Sequence, residues 1–179
     1  IDRFQQEKRY AHKDGSVVWG LLNVALVRDA DGQPLYFVSK IQDITERKRM
    51  EGELREAKQR FEQAFNSSPL GMAMTTLDLT FIATNRSLNR ILGYEPGGLD
   101  GVAVADVSDP DDMRENVEQV QRLYRGEIEH ARMEKRYIHK DGSIVWGSLH
   151  VSVVRDEQGR ALYQVSQIED ITERKRMEA

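Results

Sequence analysis

The four histidines are the side chains of this sequence best suited to metal binding or acid–base chemistry. His12 and His139 each stand two residues before an Asp-Gly pair, whereas His130 and His150 lie apart from both pairs. No histidines and carboxylates cluster around a common point at the three- or four-residue spacing of helical zinc sites. The chain also contains no cysteine, which removes thiolate catalysis, disulfides and iron–sulfur ligation. We therefore expect no metal site.

Other catalytic and binding classes are disfavoured as well. Serine, histidine and aspartate occur, but no nucleophile elbow and no paired acid and base is recognisable, so we expect no enzyme. The formal net charge is −4 without a long block of one sign, which disfavours nucleic-acid partners. No apolar run approaches the length of about 18 residues that a membrane span needs. The lack of cysteine fits a reducing compartment, and we expect a cytoplasmic location.

A long internal repeat organises the chain. Residues 7–51 return almost letter for letter as residues 134–178, at a constant offset of 127 residues. The stretch between the two copies is not repeated. A fixed long period is typical of tandem domains, so the sequence predicts one whole unit preceded by the back end of another. We expect the chain to be part of a longer polypeptide.

Each copy has the pattern of three β-strands. In the second copy, residues 133–139 meet an Asp-Gly turn, a strong hairpin signal. Along residues 144–155, aliphatic side chains then alternate with other residues, and residues 161–168 follow a second turn. One side of the middle run carries Val145, Gly147, Leu149, Val151 and Val153. This period of two predicts a half-buried strand inside an antiparallel meander.

After the first meander the apolar residues recur with a helical period, which predicts a linker helix over residues 47–66, about 30 Å long. Its apolar positions are spaced 4, 3, 4 and 3 residues apart: Met50, Leu54, Ala57, Phe61 and Ala64. This spacing is the seam of a coiled coil. Asp43 is the expected N-cap, with Glu46 three residues later as in a capping box, and Thr45 is the rival cap.

The unrepeated middle mixes both kinds of element. Residues 72–76 and 80–84 have the pattern of short strands, and residues 86–92 that of a short helix. Asp109 and Pro110 open a longer helix. Its expected buried stripe is Val117, Val120, Leu123 and Tyr124. The sequence therefore predicts an α+β fold, with a five-stranded antiparallel sheet carrying helices on one face, preceded by a linker helix and an extra three-stranded meander.

Three groups of residues resemble the PAS domain family. Asn85 to Leu88 with Leu92 to Tyr94 resembles the motif of its first helical region. Lys140 to Ser143 with Trp146, Arg155, Asp156 and Gly159 resembles its C-terminal strand motif. Asp170 to Thr172 resembles the Asp-Ile-Thr that precedes an output helix.

The resemblance implies four regions. Residues 1–45 would be the last three strands of an upstream PAS domain, and residues 46–66 the linker helix. Residues 67–172 would be a complete PAS domain, and residues 173–179 the start of an output helix. The resemblance also implies a sensory or dimerising module of a bacterial-type signalling protein.

The cofactor classes of the family can be tested against the residues. Covalent flavin photochemistry needs a cysteine and is excluded. Haem-binding members use a histidine of the long helix, and residues 111–125 contain none, so haem is disfavoured. Noncovalent flavin, a small metabolite or no ligand remain open.

The resemblance implies a cavity between the sheet and the helices. Its expected lining is Tyr137, Gly147, Gln164 and Ser166, with Asn85 and Asn89 near the mouth. Each of these residues has a structural alternative, which we favour. Gly147 could allow tight packing, Tyr137 could be a core residue, and Asn85 could be a turn and cap residue.

Four residues are expected to relay a signal between sheet and helix: Asp43, Thr45, Asp170 and Thr172. The strand phase places Trp146, and Trp19 in the first copy, on the outer face of the meander. A large aromatic residue there needs cover, so we assign both to an interface with the linker helix or a second subunit.

The favoured function is a noncatalytic sensor and relay, with an effector domain in the same polypeptide. The alternative is a structural dimerisation module without a ligand. A homodimer is expected, joined through Met50, Leu54, Ala57 and Phe61. The face of the first meander is expected to lack a cover, so the dimer could exchange strands. The seam residues Phe61 and Ala64, with Phe65, could instead dock on their own sheet.

Overall fold

The computed structural model describes residues 3–178. The first meander consists of β1 (Arg3–Ala11), β2 (Val17–Arg28) and β3 (Pro34–Asp43), and α1 (Thr45–Ser67) follows it. Then come β4 (Gly71–Thr75), β5 (Phe81–Thr84) and α2 (Arg86–Ile91). A 3₁₀ helix (Val104–Val107) and α3 (Pro110–Tyr124) lead to β6 (His130–Ile138), β7 (Ile144–Arg155) and β8 (Ala161–Asp170). The short helix α4 (Thr172–Glu178) is the last element.

Two antiparallel sheets result. One has the order β1-β2-β3, and the other has the order β5-β4-β8-β7-β6. The predicted α+β fold with its five-stranded sheet and additional meander is confirmed. The described residues form two compact units, 3–61 and 62–178, and α1 contributes to both. None of the helices among residues 3–178 has the length and apolar character of a membrane span.

The second unit has a closed core. The inward positions of β6 to β8 pack against α2, the 3₁₀ helix and α3, and Leu88, Leu123, Leu149 and Ile168 are all buried. At about 25 cal/mol per Å² of apolar surface, burial of such side chains is the main stabilising term of this unit. The predicted alternation of β7 is confirmed, because Val145, Gly147, Leu149 and Val151 face this core.

The buried stripe of α3 differs from the predicted one. Asp109 caps the helix as expected, since its carboxylate accepts the N–H of Asp111 at 3.0 Å. Val117, however, is exposed, whereas the polar Asn116 is buried. The helix is rotated so that Asn116 meets a polar partner on β6, described below. Val120 and Leu123 are buried as predicted.

The start of α1 also differs from the predicted capping box. The carboxylate of Asp43 accepts the N–H of Thr45, two residues on, at 2.8 Å. Glu46 pairs with Arg49 instead of returning to the cap. Asp43 therefore ends the strand with a turn, and the helix begins at Thr45.

Candidate cavity and strand-to-helix junction

A small cavity lies between the sheet and the helices of the second unit. It encloses about 20 Å³, room for about one water molecule. Of the predicted lining, Tyr137, Gln164 and Ser166 border it, together with Thr75 and Asn116. Gly147, Asn85 and Asn89 do not contribute to this cavity. Its wall thus combines polar and apolar side chains, and its size in this conformation suits water better than an aromatic cofactor.

The ring of Tyr137 occupies the space that Gly147 provides. A Cβ atom added at residue 147 would lie 2.6 Å from Cε2 of Tyr137. The glycine therefore allows the tyrosine to pack flat on the sheet, which is the structural role weighed above. Burial raises the pKa of the Tyr137 phenol well above its usual range.

Gln164 borders the cavity and is held by a second tyrosine. Its side-chain amide donates to the hydroxyl of Tyr124 at 2.6 Å, and that hydroxyl donates to the carbonyl of Leu77 at 2.9 Å. Burial, with the nearby negative charge of Asp78, raises the pKa of Tyr124 to about 12. The phenol therefore stays protonated at neutral pH and joins α3 to the β4–β5 turn.

Lys135 is a buried cation that sequence analysis missed. Its ammonium group donates to the hydroxyl of Ser108 at 2.8 Å and to the side-chain oxygen of Asn116 at 2.6 Å. It also lies 4.7 Å from the centre of the Tyr137 ring. Burial lowers the pKa of Lys135 to about 8, and the charge of Asp112 opposes this shift. The alternation of β6, which points residues 133, 135 and 137 inward, was the signal that could have revealed it.

Asn85 joins three elements and does not border this cavity. Its side-chain oxygen accepts the N–H groups of Met72 and Leu88, both at 2.9 Å. Its amide group donates to the carbonyls of Phe65 and Leu70, both at 2.9 Å. All four hydrogen bonds of the amide are thus made inside the protein. The structure therefore gives Asn85 the cap role that we weighed against cavity lining.

Asn89, one turn later, is less well satisfied. Its amide donates to the hydroxyl of Thr84 and to the carbonyl of Asn85, both at 2.9 Å. Its side-chain oxygen is buried without a hydrogen-bond partner among the described residues.

The strand-to-helix junction connects the sheet directly to α4. The N–H of Ile171 donates to the carbonyl of Trp146 at 2.9 Å. The N–H of Trp146 donates to the hydroxyl of Thr172 at 3.0 Å. The carboxylate of Asp170 accepts the N–H of Thr172 at 2.9 Å. Both backbone groups of Trp146 are therefore engaged by the first residues of the outgoing segment.

The first unit repeats this junction bond for bond. The N–H of Ile44 donates to the carbonyl of Trp19 at 2.8 Å. The N–H of Trp19 donates to the hydroxyl of Thr45 at 2.9 Å, and Asp43 accepts the N–H of Thr45 as described. The four predicted relay residues thus occupy equivalent positions, two at each junction. Whether they carry a signal stays a prediction.

An acidic residue on the neighbouring strand fixes each helix start, and sequence analysis missed it. Glu134 pairs with Arg174 and, at 2.7 Å, with Lys175. In the first unit, Glu7 pairs with Arg47 at 2.6 Å and with Lys48 at 2.5 Å. The partners lie about 40 positions apart in sequence, which is why no local pattern joined them.

Both tryptophans lie beside the helix starts. The ammonium of Lys175 is 5.2 Å from the Trp146 ring, and the guanidinium of Arg136 is 5.8 Å from it. Lys48 and Arg9 stand at 5.3 and 5.9 Å from the Trp19 ring. Cations of the same unit therefore provide part of the cover that both rings need. An interface with a second subunit stays a prediction for both.

The predicted seam of α1 is open to solvent. Met50 is 58% exposed and Leu54 is 72% exposed, and Ala57, Phe61 and Ala64 are also exposed. Phe65, in contrast, is buried in the second unit. Of the three residues in the docking alternative, Phe65 is thus buried, whereas Phe61 and Ala64 are exposed. The histidines remain apart, and residues 3–178 contain no group of side chains that could hold a metal ion.

Known proteins that resemble the chain are signalling proteins by name. It is 39% identical over 123 residues to the probable diguanylate cyclase DgcE of Escherichia coli, covering 69% of this chain and 11% of that protein. It is 25% identical over 118 residues to the sensor histidine kinase TmoS of Ectopseudomonas mendocina, covering 65% of this chain and 12% of that protein. The chain thus spans about a tenth of the length of these two curated relatives.

Solved structures share the fold. A PAS domain from Colwellia psychrerythraea aligns with a TM-score of 0.59 at 23% identity, covering 65% of this chain and 98% of that one. The PAS domain of an HTR-like protein from Haloarcula marismortui aligns with a TM-score of 0.58 at 23% identity, covering 69% of this chain and 99% of that one. The family described as "PAS fold" matches residues 65–176, and the one described as "PAS domain" matches residues 2–46. The chain therefore belongs to the PAS domain family.

Proposed function

We propose that this chain is the noncatalytic sensor and relay portion of a larger signalling protein, which passes a conformational state from the sheet to an effector through its helices. The observation that carries the proposal is the junction at Trp146, whose two backbone groups are bonded by Ile171 and Thr172. A change in the sheet at this residue must alter the start of α4, because no flexible loop separates them. The two signalling relatives support an effector in the same polypeptide.

The stimulus would act on the polar cavity wall. Tyr137, Gln164 and Ser166 face the same space as Asn116, so a small polar molecule that widened the cavity would push α3 away from the sheet. We place this part of the protein in the cytoplasm, which its lack of cysteine supports.

The relay is tested by replacing Thr172 with valine. The change removes the acceptor of the Trp146 N–H while it keeps the branched shape, and one hydrogen bond is worth about 1 kcal/mol. We expect the amides of α4, and the Trp146 amide that loses its acceptor, to exchange hydrogen about fivefold faster, while those of β6 and of the rest of β7 stay unchanged. In the polypeptide that carries the effector, the same change should alter the output with the effector sequence intact. Thr45→Val at the equivalent junction is the matched control, and unchanged exchange in α4 would contradict the relay.

A structural dimerisation module is the second candidate, and the exposed seam of α1 supports it. Apolar side chains at heptad spacing are typical of a helix that pairs with a second helix. Leu54→Asp is expected to shift the protein toward monomer in light scattering across a concentration series, because an unpaired carboxylate in the seam is costly. Glu53→Gln, on the neighbouring polar position, should leave the mass unchanged. If the parent and Leu54→Asp had the same mass at all concentrations, dimerisation through this seam would be contradicted.

A further inference from the structure

Arg136, on the edge strand β6, is held by the start of α3 through its backbone as well as its side chain. Its N–H donates to the carboxylate of Asp112 at 2.7 Å, and its carbonyl accepts the N–H of Asp109 at 3.0 Å. Its guanidinium donates to both oxygens of Asp112, at 2.7 and 3.0 Å, and lies 3.2 Å from the carboxylate of Asp109. The start of α3 therefore cannot leave β6 without releasing Arg136.

We call Arg136 with its two acceptors, Asp109 and Asp112, the Arg136 clamp. By donating to the carboxylate of Asp112, the guanidinium lowers the pKa of that carboxyl, so the pair stays charged at neutral pH. All three residues are partly buried. Exposed ion pairs contribute little, but a partly buried pair with two parallel hydrogen bonds is stronger and fixes the orientation of both groups. The clamp therefore holds the guanidinium in one place.

Trp146 is the cross-strand partner of Arg136 on β7. The N–H of Trp146 is bonded to Thr172, and that of Arg136 is bonded to Asp112, so neither N–H is left to bond across the ladder. In an antiparallel ladder, pairs of this kind bring their side chains closest together. The guanidinium accordingly lies 5.8 Å from the centre of the Trp146 ring.

This cross-strand pair stands between two helices. The backbone groups of Arg136 point to the outer edge of the sheet and bind the start of α3. Those of Trp146 point the other way and bind the residues at the start of α4. The Trp146 ring also lies 5.2 Å from the ammonium of Lys175 on α4. A single contact between the two side chains thus separates α3 from α4.

The clamp also lies close to the cavity. Asn116, one turn after Asp112 on α3, borders the cavity. It also accepts the ammonium of Lys135, the residue before Arg136, at 2.6 Å. A molecule that widened the cavity would therefore act on α3 about one turn from the clamp.

We propose that Arg136 is the positioning residue through which α3 controls the start of α4. While Asp112 holds the guanidinium, the guanidinium fixes the Trp146 ring and so steadies the two backbone bonds of Trp146 to the outgoing segment. When α3 withdraws, the guanidinium is released and these bonds loosen. The inference rests on the proposed relay and deepens it, because it names the residue that joins α3 to the junction.

Asp112→Asn tests the proposal from the side of α3, since it removes the charge that holds the guanidinium and keeps the size of the side chain. The readout is the hydrogen exchange of three junction amides, those of Trp146, Ile171 and Lys175, relative to the buried amides of β7 and β8. We expect this ratio to rise about threefold. A merely stabilising ion pair would speed both sets alike, so the ratio identifies positioning.

The chain offers two controls for this measurement. Asp111→Asn removes the same charge from an exposed residue of the same turn and should leave the ratio unchanged. The amides of Trp19, Ile44 and Lys48 make the equivalent three hydrogen bonds in the first unit and should also stay unchanged. Both controls separate the release of Arg136 from a general effect of charge.

A double-mutant cycle shows whether the effect passes through Arg136. Arg136→Met keeps the apolar stem and removes the guanidinium, so Asp112→Asn added to it should not raise the ratio further. Asp109→Asn weakens the same clamp and retains a capping side chain. It should act in the same direction as Asp112→Asn and replaces it if that variant fails to fold.

The outcomes separate this inference from the relay itself. An unchanged ratio in Asp112→Asn, or an equal rise with and without Arg136, would overturn the proposal. If Thr172→Val speeds exchange in α4 and Asp112→Asn has no effect, the relay stands and control by Arg136 is wrong. If Asp112→Asn raises the ratio and Thr172→Val leaves α4 unchanged, control of Trp146 by Arg136 stands and the relay through Thr172 is wrong.

Discussion

Replacing Asn85 with leucine is expected to lower the free energy of unfolding of the second unit by about 3 kcal/mol or more. The change removes four hydrogen bonds and leaves the N–H groups of Met72 and Leu88 and the carbonyls of Phe65 and Leu70 without their partner. Each buried group left unsatisfied costs about 1–3 kcal/mol. A loss of this size corresponds to a fall of roughly 10 °C in Tm for a unit of this length.

Urea denaturation followed by tryptophan fluorescence measures this loss. A Trp19→Phe background leaves Trp146 as the fluorophore, so the signal comes from the second unit. Asn89→Leu is the matched control, since it changes a buried asparagine one turn away whose side-chain oxygen already lacks a partner. We expect this control to cost less than half as much. Equal losses would show that burial of the side chain, and not its hydrogen bonds, determines the effect.

Lys135 should make the stability of the second unit rise with pH. Its pKa is lowered to about 8 in the folded protein, from a usual 10.5. Between these values the unfolded chain binds a proton that the folded chain has released, so the free energy of unfolding increases with pH. At 1.36 kcal/mol per pKa unit, the lysine penalises the folded state by about 3 kcal/mol at pH 7. About 2 kcal/mol of this penalty should disappear by pH 9.5.

Lys135→Met isolates this effect. The thioether fills similar space beside Met113 and Tyr137 and does not titrate. The difference in unfolding free energy between parent and variant should therefore rise by about 2 kcal/mol between pH 7 and 9.5 in favour of the parent. Stopping at pH 9.5 avoids Tyr124, whose pKa is raised to about 12. Lys8→Met is the matched control, because Lys8 is the exposed residue at the equivalent position of the first meander. If the free energies of unfolding of the parent and of Lys135→Met changed with pH in the same way, the lowered pKa of Lys135 would be contradicted.

Elements with a strong local period could be predicted from the sequence. The alternation of residues 144–155 gave β7 with its inward face, and the heptad spacing gave α1 as a continuous helix. The Asp-Gly pairs allowed the hairpins to be predicted, because this dipeptide readily adopts the backbone conformation of a tight β-turn. Both Asp-Ile-Thr tripeptides lie between a strand and a helix, as predicted. The carboxylate of Asp43, however, caps a turn and not the helix.

Polar contacts between distant elements could not be predicted in the same way. Lys135 is buried because Ser108 and Asn116 meet it from two other elements, and no local pattern pairs residues so far apart. The same contact turns Asn116 inward and Val117 outward, against the apolar stripe read from α3. Glu134 and Arg174 are likewise joined only once the strand and the helix are in place.

In the proposed relay, the backbone of Trp19, like that of Trp146, would pass direction as well as force to the helix that follows it. The start of α1 is hydrogen-bonded to both backbone groups of Trp19, through Ile44 and Thr45, so a change in the twist of the sheet would alter the angle at which the helix departs. A helix of 23 residues is a lever about 35 Å long. A rotation of about 10° at its base would sweep its tip through about 6 Å, slightly more than one helical pitch. In the proposed relay, motions of the strand too small to alter its own hydrogen bonds would therefore become displacements as large as a side chain at the far end.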